Sequence, residues 1–168
     1  MYYFASDIHL GLQIGSDPEN RERLLVQWLD EVSKDADAIF LVGDIFDFWY
    51  EYRYVVPKGF TRLLGKLSEL TDRGIPVHFF GGNHDIWTYR YLHDECGVTL
   101  YHSPYTEFEL DGRKVIVGHG DMLGPRPAGQ RILSAIFRSR LLQWLFSMLH
   151  PYWAMMLVLL VTPFLAKD

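Results

Sequence analysis

Apolar residues recur along this chain in two rhythms. Unbroken runs at Tyr2-Tyr3-Phe4-Ala5, Ala38-Ile39-Phe40-Leu41-Val42 and Val77 to Phe80 read as buried strands. Between them the spacing changes to that of amphipathic helices. Leu24, Leu25, Trp28, Leu29 and Val32 form one stripe, predicting a helix over about 19–34. Phe60, Leu63, Leu64, Leu67 and Leu70 form another over about 59–72. Gly74 caps that second helix, and Pro76 opens the next strand. A short helix is predicted near Thr88 to Glu95 and a short strand over Val98 to Tyr101. Thr106 to Leu110 and Arg113 to Val117 flank Asp111-Gly112, a two-residue hairpin signal. Strands alternating with helices predict a parallel sheet, with the hairpin added after it.

In such sheets ligands bind beyond the carboxyl ends of the strands. Four predicted strand ends here carry Asp7 and His9; Asp44; Asn83, His84 and Asp85; and His119. Each has a glycine or small residue beside it, which lets the backbone turn sharply and leaves room for a ligand. Carboxylate oxygen and imidazole nitrogen together suit a divalent cation. Asp44 is the natural shared ligand, since one carboxylate can bind two cations. Asp7 and His9 then complete one site, and Asn83 and His119 the other. The Asn83 amide would ligate without adding charge, preserving affinity for an anionic phosphate. Two cations roughly 3.5–4 Å apart can activate a water and clamp a phosphoryl group. His84 is left to meet the substrate, with Asp85 placed to orient it.

Each residue alone has a plainer reading. Asp44 and Asp85 could be helix N-caps, and Asn83 a left-handed turn residue. His119, between two glycines, has no local structural use. Asp47 and Asp121 read as supporting or loop carboxylates, and His78, His93, His102 and His150 as structural or solvent-exposed. The aromatic run from Phe46 to Tyr54 reads equally as ligand contact or as packing beside the sheet.

The chain has 168 residues, 49% hydrophobic and 22% charged, which are values for one globular domain with a sizeable core. A net charge of −5 gives no basic footprint for nucleic acid. The single cysteine, Cys96, excludes an internal disulfide and fits a reducing compartment. No basic leader with a cleavage site precedes the first strand, so the expected address is cytoplasmic.

Asp7-Ile8-His9, Gly43-Asp44 with Asp47, Gly82-Asn83-His84-Asp85 and Gly118-His119-Gly120-Asp121, in that order, resemble the calcineurin-like metallophosphoesterase family over about residues 1–123. The resemblance implies an α/β fold (α+β by some schemes), a metallophosphoesterase-type β-sandwich flanked by helices. It also implies two divalent metal ions, usually Mn2+, on Asp7, His9, Asp44, Asn83 and His119, with His84 and Asn83 facing the substrate. Longer words, Gly43 to Trp49, Val55 to Phe60 and Gly82 to Trp87, resemble the UDP-2,3-diacylglucosamine diphosphatase branch. That branch cleaves a lipid A precursor to UMP and 2,3-diacylglucosamine 1-phosphate. His84 stands where proteobacterial members carry Arg, which suggests the Bacteroidetes-like branch. A generic phosphoesterase and a non-catalytic module on the same fold are the rival readings.

Family members continue into further strands and a G-H-x-H motif, whereas this sequence stops at Asp168. The expectation is therefore a C-terminally truncated core over 1–125, followed by an apolar helical segment over 126–168. Arg131 to Leu149 is predicted as one apolar helix, broken at His150-Pro151, with a second apolar run to Ala166. A core hairpin, a lid over an acyl chain and an interfacial anchor compete here. Arg126, Arg131, Arg138 and Arg140 would stand near lipid phosphates in the last. A core hairpin needs something large to cover, so lid or membrane contact is preferred. The expected partners are a nucleotide-linked glycolipid and a membrane surface, with residence peripheral to the inner membrane and homo-oligomerisation open.

Overall fold

Ala38 to Val42 has no polar face, and the structure, a computed structural model, sets this segment inside the sheet. Residues 1–11, 18–121, 129, 135–154 and 156 are described. The strands β1 (Tyr2–Ala5), β2 (Ala38–Val42), β3 (Val77–Phe80) and β4 (Thr99–Tyr101) form one sheet in that order, and every pair is parallel. Between them run α1 (Pro18–Val32), α2 (Thr61–Asp72) and α3 (Tyr91–Cys96). The predicted hairpin is present as β5 (Thr106–Leu110) and β6 (Arg113–Val117). Asp111 and Gly112 at its turn both have positive φ, at 50° and 72°, as the tight primed turns of hairpins require.

Alternation along β2 and β3 divides the core between two layers. Ala38, Phe40 and Phe80 pack with Val117 of β6, and Phe108, Leu110 and Val115 of the hairpin close over them. Ile39, Leu41, Val77 and Phe79 are buried on the alternate set, as are the helix stripes Leu25, Leu29 and Val32, Leu63, Leu67 and Leu70, and Leu92. A mixed α/β architecture with a parallel sheet, helices and a hairpin layer results, as the sequence pattern predicts. Buried Glu22 of α1 accepts from the N–H groups of Arg62 and Leu63, satisfying two donors that the first turn of α2 cannot bond internally.

The aromatic run after β2 resolves mainly as core. Phe46, Trp49 and Tyr50 are buried, and Phe46 packs against Trp49, Phe60 and Phe79. Their burial assigns these three side chains to packing, whereas Tyr54 is exposed.

The chain divides into two compact units, Met1–Glu51 with Pro57–Leu123, and Tyr52–Val56 with Gly124–Asp168. In the second, residues 135–138 are helical, and α4 (Arg140–Ser147) follows. The single helix expected over Arg131 to Leu149 is interrupted at Ser139, whose extended backbone and hydroxyl, accepting from Leu142 N at 3.5 Å, cap α4 instead. Residues 131–134 of that expectation, and 155 and 157–166 of the second apolar run, lie outside the described residues. No helix among the described residues is long and apolar enough to cross a membrane.

Candidate metal centre

The loops leaving β1 and β2 are zipped together by their backbones. Asp7 N donates to Gly43 O at 3.2 Å, His9 N to Asp44 O at 2.9 Å, Leu10 N to Ile45 O at 2.9 Å, and Asp47 N returns to Leu10 O at 2.9 Å. Leu10, Ile45 and Phe46 anchor this ladder in the core. Asp7, His9 and Asp44 all occupy the left-handed region, with φ of 55°, 51° and 53°. Asp and His are among the few non-glycine residues enriched there. Each such residue still costs of order 1–3 kcal/mol, a strain that clusters at functional sites. These turns, not the alternation of an extended strand, bring Asp7 and His9 toward Asp44.

Asp44 is the hub. Its side chain is 5% exposed. Oδ1 accepts from His84 N at 2.9 Å, while Oδ2 lies 3.3 Å from His119 Nε2 and 4.0 Å from His9 Nε2. Two glycines make the space. A Cβ on Gly82 would sit 2.1 Å from Asp44 Oδ1, and one on Gly43 2.5 Å from His119 Nδ1. Asp44 is thus no helix cap. Burial pushes its carboxyl up, but hydrogen bonds from His119 and the His84 N–H prevail and hold it below the usual range.

The histidines are oriented from behind. His119 Nδ1 donates to Val42 O at 3.0 Å, which turns Nε2 toward Asp44. The bond to Asp44 outweighs burial and pushes His119 up to about 9. His84 Nδ1 donates to Asp47 O at 3.1 Å and lies 3.2 Å from Asp47 Oδ1. That carboxylate raises His84 against the effect of burial. Burial raises Asp47 in turn, but His84 and His9 together bring it below its ordinary value. His9 packs edge-on against His84, with ring centroids 4.8 Å apart.

Asp85 was expected to orient His84 and does not. Its buried carboxylate accepts from Gly82 N at 2.7 Å, Ile45 N at 2.9 Å, and Asp44 N and Phe46 N at 3.3 Å each. It therefore braces the turn that carries Asp44, and the His84 partner is Asp47. Burial, opposed by these amides, lifts Asp85 to about 6. Asn83 is exposed between Gly82 and His84, whose backbone N–H groups bond the Asp85 and Asp44 carboxylates.

Two groups could each hold a cation. In Asp7, Asp44 and His119, and in His9, Asp44 and His84, the ligand atoms lie within 4.8 Å of one another. Asp44 belongs to both, as expected of a shared ligand. The division differs from the expected Asp7 with His9 and Asn83 with His119. His119, tied to Val42 O, meets Asp44 on the side of Asp7, while Asp47 draws His84 toward His9. The donor set fits divalent cations: the buried Asp44 carboxylate, the half-buried imidazoles and the exposed Asp7 carboxylate converge, and His9 Nδ1 is buried with no hydrogen-bond partner, 3.6 Å from Asp47 Oδ1. The remaining histidines stand apart from these groups. His78 bonds Tyr101 OH, His93 faces Val98 O, and His102 and His150 are exposed.

Of the two supporting residues one was legible. Asp47, read as a supporting or loop carboxylate, is the former, with its Oδ1 3.2 Å from His84 Nδ1. Arg21, whose Nη1 donates to His9 O at 2.7 Å, comes from α1 and left no signal in the sequence.

A model of the calcineurin-like phosphoesterase family matches residues 2–150. The UDP-2,3-diacylglucosamine hydrolase of Porphyromonas gingivalis is 43% identical over 152 residues, covering 90% of this chain and 58% of that protein. Its namesake in Aeromonas salmonicida is 32% identical over 143 residues, covering 85% and 54%. That of Neisseria meningitidis is 34% identical over 152 residues, covering 90% and 61%. The chain thus spans less than two thirds of the length of these relatives. A solved protein of unknown function from Aquifex aeolicus aligns with a TM-score of 0.48 and 16% identity, over 82% of this chain and 70% of its own.

Proposed function

Because this chain belongs to the calcineurin-like phosphoesterase family, we propose that it is a metal-dependent hydrolase of UDP-2,3-diacylglucosamine. One water is consumed, one bridging P–O bond of the diphosphate breaks, and UMP and 2,3-diacylglucosamine 1-phosphate are released. The observation that carries the reading is the pair of acid–histidine groups sharing Asp44, built at the carboxyl ends of the parallel strands β1, β2 and β3 and completed by His119 from the end of β6. The name shared by the relatives supports the substrate.

Asp7, His9, Asp44, His84 and His119 would hold two divalent ions, Mn2+ by preference, with the exposed Asn83 amide available beside them. When bound, such ions supply Lewis acidity that activates water and offsets phosphoryl charge. The chain's own residues do the rest. Asp85 fixes the Asp44 peptide, so the shared carboxylate presents both oxygens without rearrangement. Asp47 accepts the Nδ1–H hydrogen bond of His84, which fixes the ring and leaves Nε2 turned to the site, where it would meet either a cation or a phosphoryl oxygen. The second unit offers an apolar surface. Leu141, Leu142, Trp144 and Leu145 of α4 are exposed, as are Tyr152 and Trp153 beyond it. These exposed apolar side chains support contact with an acyl chain or a bilayer interface, and we read the chain as peripheral to the inner membrane on its cytoplasmic side on that basis alone.

The test is UMP release from UDP-2,3-diacylglucosamine, with a chromogenic phosphate monoester alongside, in Mn2+ and after chelation. Release of UMP that chelation abolishes is the expected result. Turnover of the monoester alone would make the chain a general phosphoesterase, and tight cation binding without turnover of either would make it a binding module.

A further inference from the structure

The three histidines around Asp44 are not held alike. His84 and His119 are oriented through their rings, each Nδ1 donating to a backbone carbonyl at 3.1 and 3.0 Å. His9 has no such bond. Its Nδ1 is buried with no hydrogen-bond partner, and its Nε2 stands 4.0 Å from Asp44 Oδ2. Beyond that, the His9 ring has only the Asp47 carboxylate 3.6 Å from Nδ1 and edge-on packing against His84, and its hydrogen bonds come from the main chain. The N–H donates to Asp44 O at 2.9 Å, φ is 51°, and the carbonyl accepts from Arg21 Nη1 at 2.7 Å. Arg21 lies in the first turn of α1 and is half-buried. A left-handed residue persists only where its surroundings over-determine it, and the imidazole swings with the backbone that carries it.

We infer that Arg21 is a positioning residue for His9: by holding the His9 carbonyl it fixes the left-handed turn that aims the imidazole at Asp44. The inference rests on the reading of the Asp44 groups as cation sites. Charge and geometry make opposite predictions here. A guanidinium near a cation site repels the cation, so a purely electrostatic role means that removing it tightens binding. A positioning role means that removing it loosens binding, and only at the site that uses His9.

The experiment is a calorimetric titration of the native chain, Arg21→Leu, Arg21→Gln and Arg21→Lys with Mn2+, repeated with Co2+ to read the ligand-field absorption of each step. Melting temperatures are measured without metal. The native chain should show two steps. Arg21→Leu should weaken one of them by about 10–100-fold, the range seen when a residue behind a ligand is removed, and leave the other unchanged. The Co2+ band of the weakened step should shift. Arg21→Gln keeps a donor without the charge and Arg21→Lys keeps the charge with a single-point donor; both should recover part of the affinity, and they decide the matter if the leucine variant does not fold. Native affinity or tighter binding in Arg21→Leu overturns the inference. So does equal weakening of both steps with a matching fall in melting temperature. A native chain that takes up no cation overturns the metal reading and this inference together.

Discussion

The tryptophans show how differently the two units are built. Trp49 and Trp87, in the first unit, are 0% and 6% exposed, whereas Trp144 and Trp153, in the second, are 57% and 67% exposed. The first unit buries its aromatic and aliphatic stripes between sheet, helices and hairpin, and spends its strand ends on polar convergence. In the second, α4 buries none of its residues. Charge divides the same way. No Asp or Glu occurs between Asp121 and Asp168, an interval that holds Arg126, Arg131, Arg138, Arg140 and Lys167. One unit is a core carrying an acidic site. In the other, the described residues present exposed apolar side chains on a stretch of sequence without acidic residues.

The sharpest way to isolate the first unit's chemistry from its packing is Asp44→Ala. Both Mn2+ steps should vanish and UMP release should fall by about 10³-fold or more, about 4 kcal/mol of transition-state stabilisation, while the chain stays folded by circular dichroism. Retained turnover would break the shared-ligand arrangement. Packing itself is compared by Trp49→Ala and Trp144→Ala in urea unfolding. The buried site should cost about 3–5 kcal/mol and the exposed one no more than about 0.5 kcal/mol. Equal costs would erase the contrast between the units. Trp144→Ala should instead lower co-sedimentation with anionic phospholipid vesicles, and Trp49 variants that remain folded should not. Asp85→Ala leaves buried amides of the Asp44 turn without an acceptor, and should lower stability by about 1–3 kcal/mol and weaken cation binding together.

The smallest expected effect is a pH dependence. Burial among Phe40, Phe108 and Tyr101 holds His78 below its ordinary value, so folding favours the neutral ring. That contribution is complete above the unfolded value of about 6.5 and is lost as pH falls through the lower folded value. The melting temperature should therefore decline less steeply between about pH 7 and pH 5 in His78→Phe than in the native chain. Parallel declines would remove His78 from the account.

The strands, the three helices of the first unit and the hairpin were legible because periodicity reports burial, and each of these elements is buried on a defined face. The candidate ligands were legible because turn-forming glycines and polar strand ends occur together at Gly43-Asp44, Gly82-Asn83 and Gly118-His119. The aromatic run after β2 was ambiguous because composition does not say which way a ring points, and Trp49 points into the core. The role expected of Asp85 failed for a related reason. The carboxylate beside His84 bonds the amides of the Asp44 turn, while Asp47 from another loop holds the imidazole. The division of ligands between the two groups, and the bond from Arg21 to His9, depend on side chains arriving from separate elements, and no local pattern encodes that.

The sequence by itself determined that strands end in oxygen and nitrogen ligands around a shared aspartate, because residue type and period are local properties of a chain. Only the tertiary structure decided which of those ligands meet, which carboxylate supports which histidine, and that Asp7, His9 and Asp44 reach the site through left-handed turns. Those outcomes depend on distances between segments dozens of residues apart, set by the packing of β1 against β2 and of the hairpin over both.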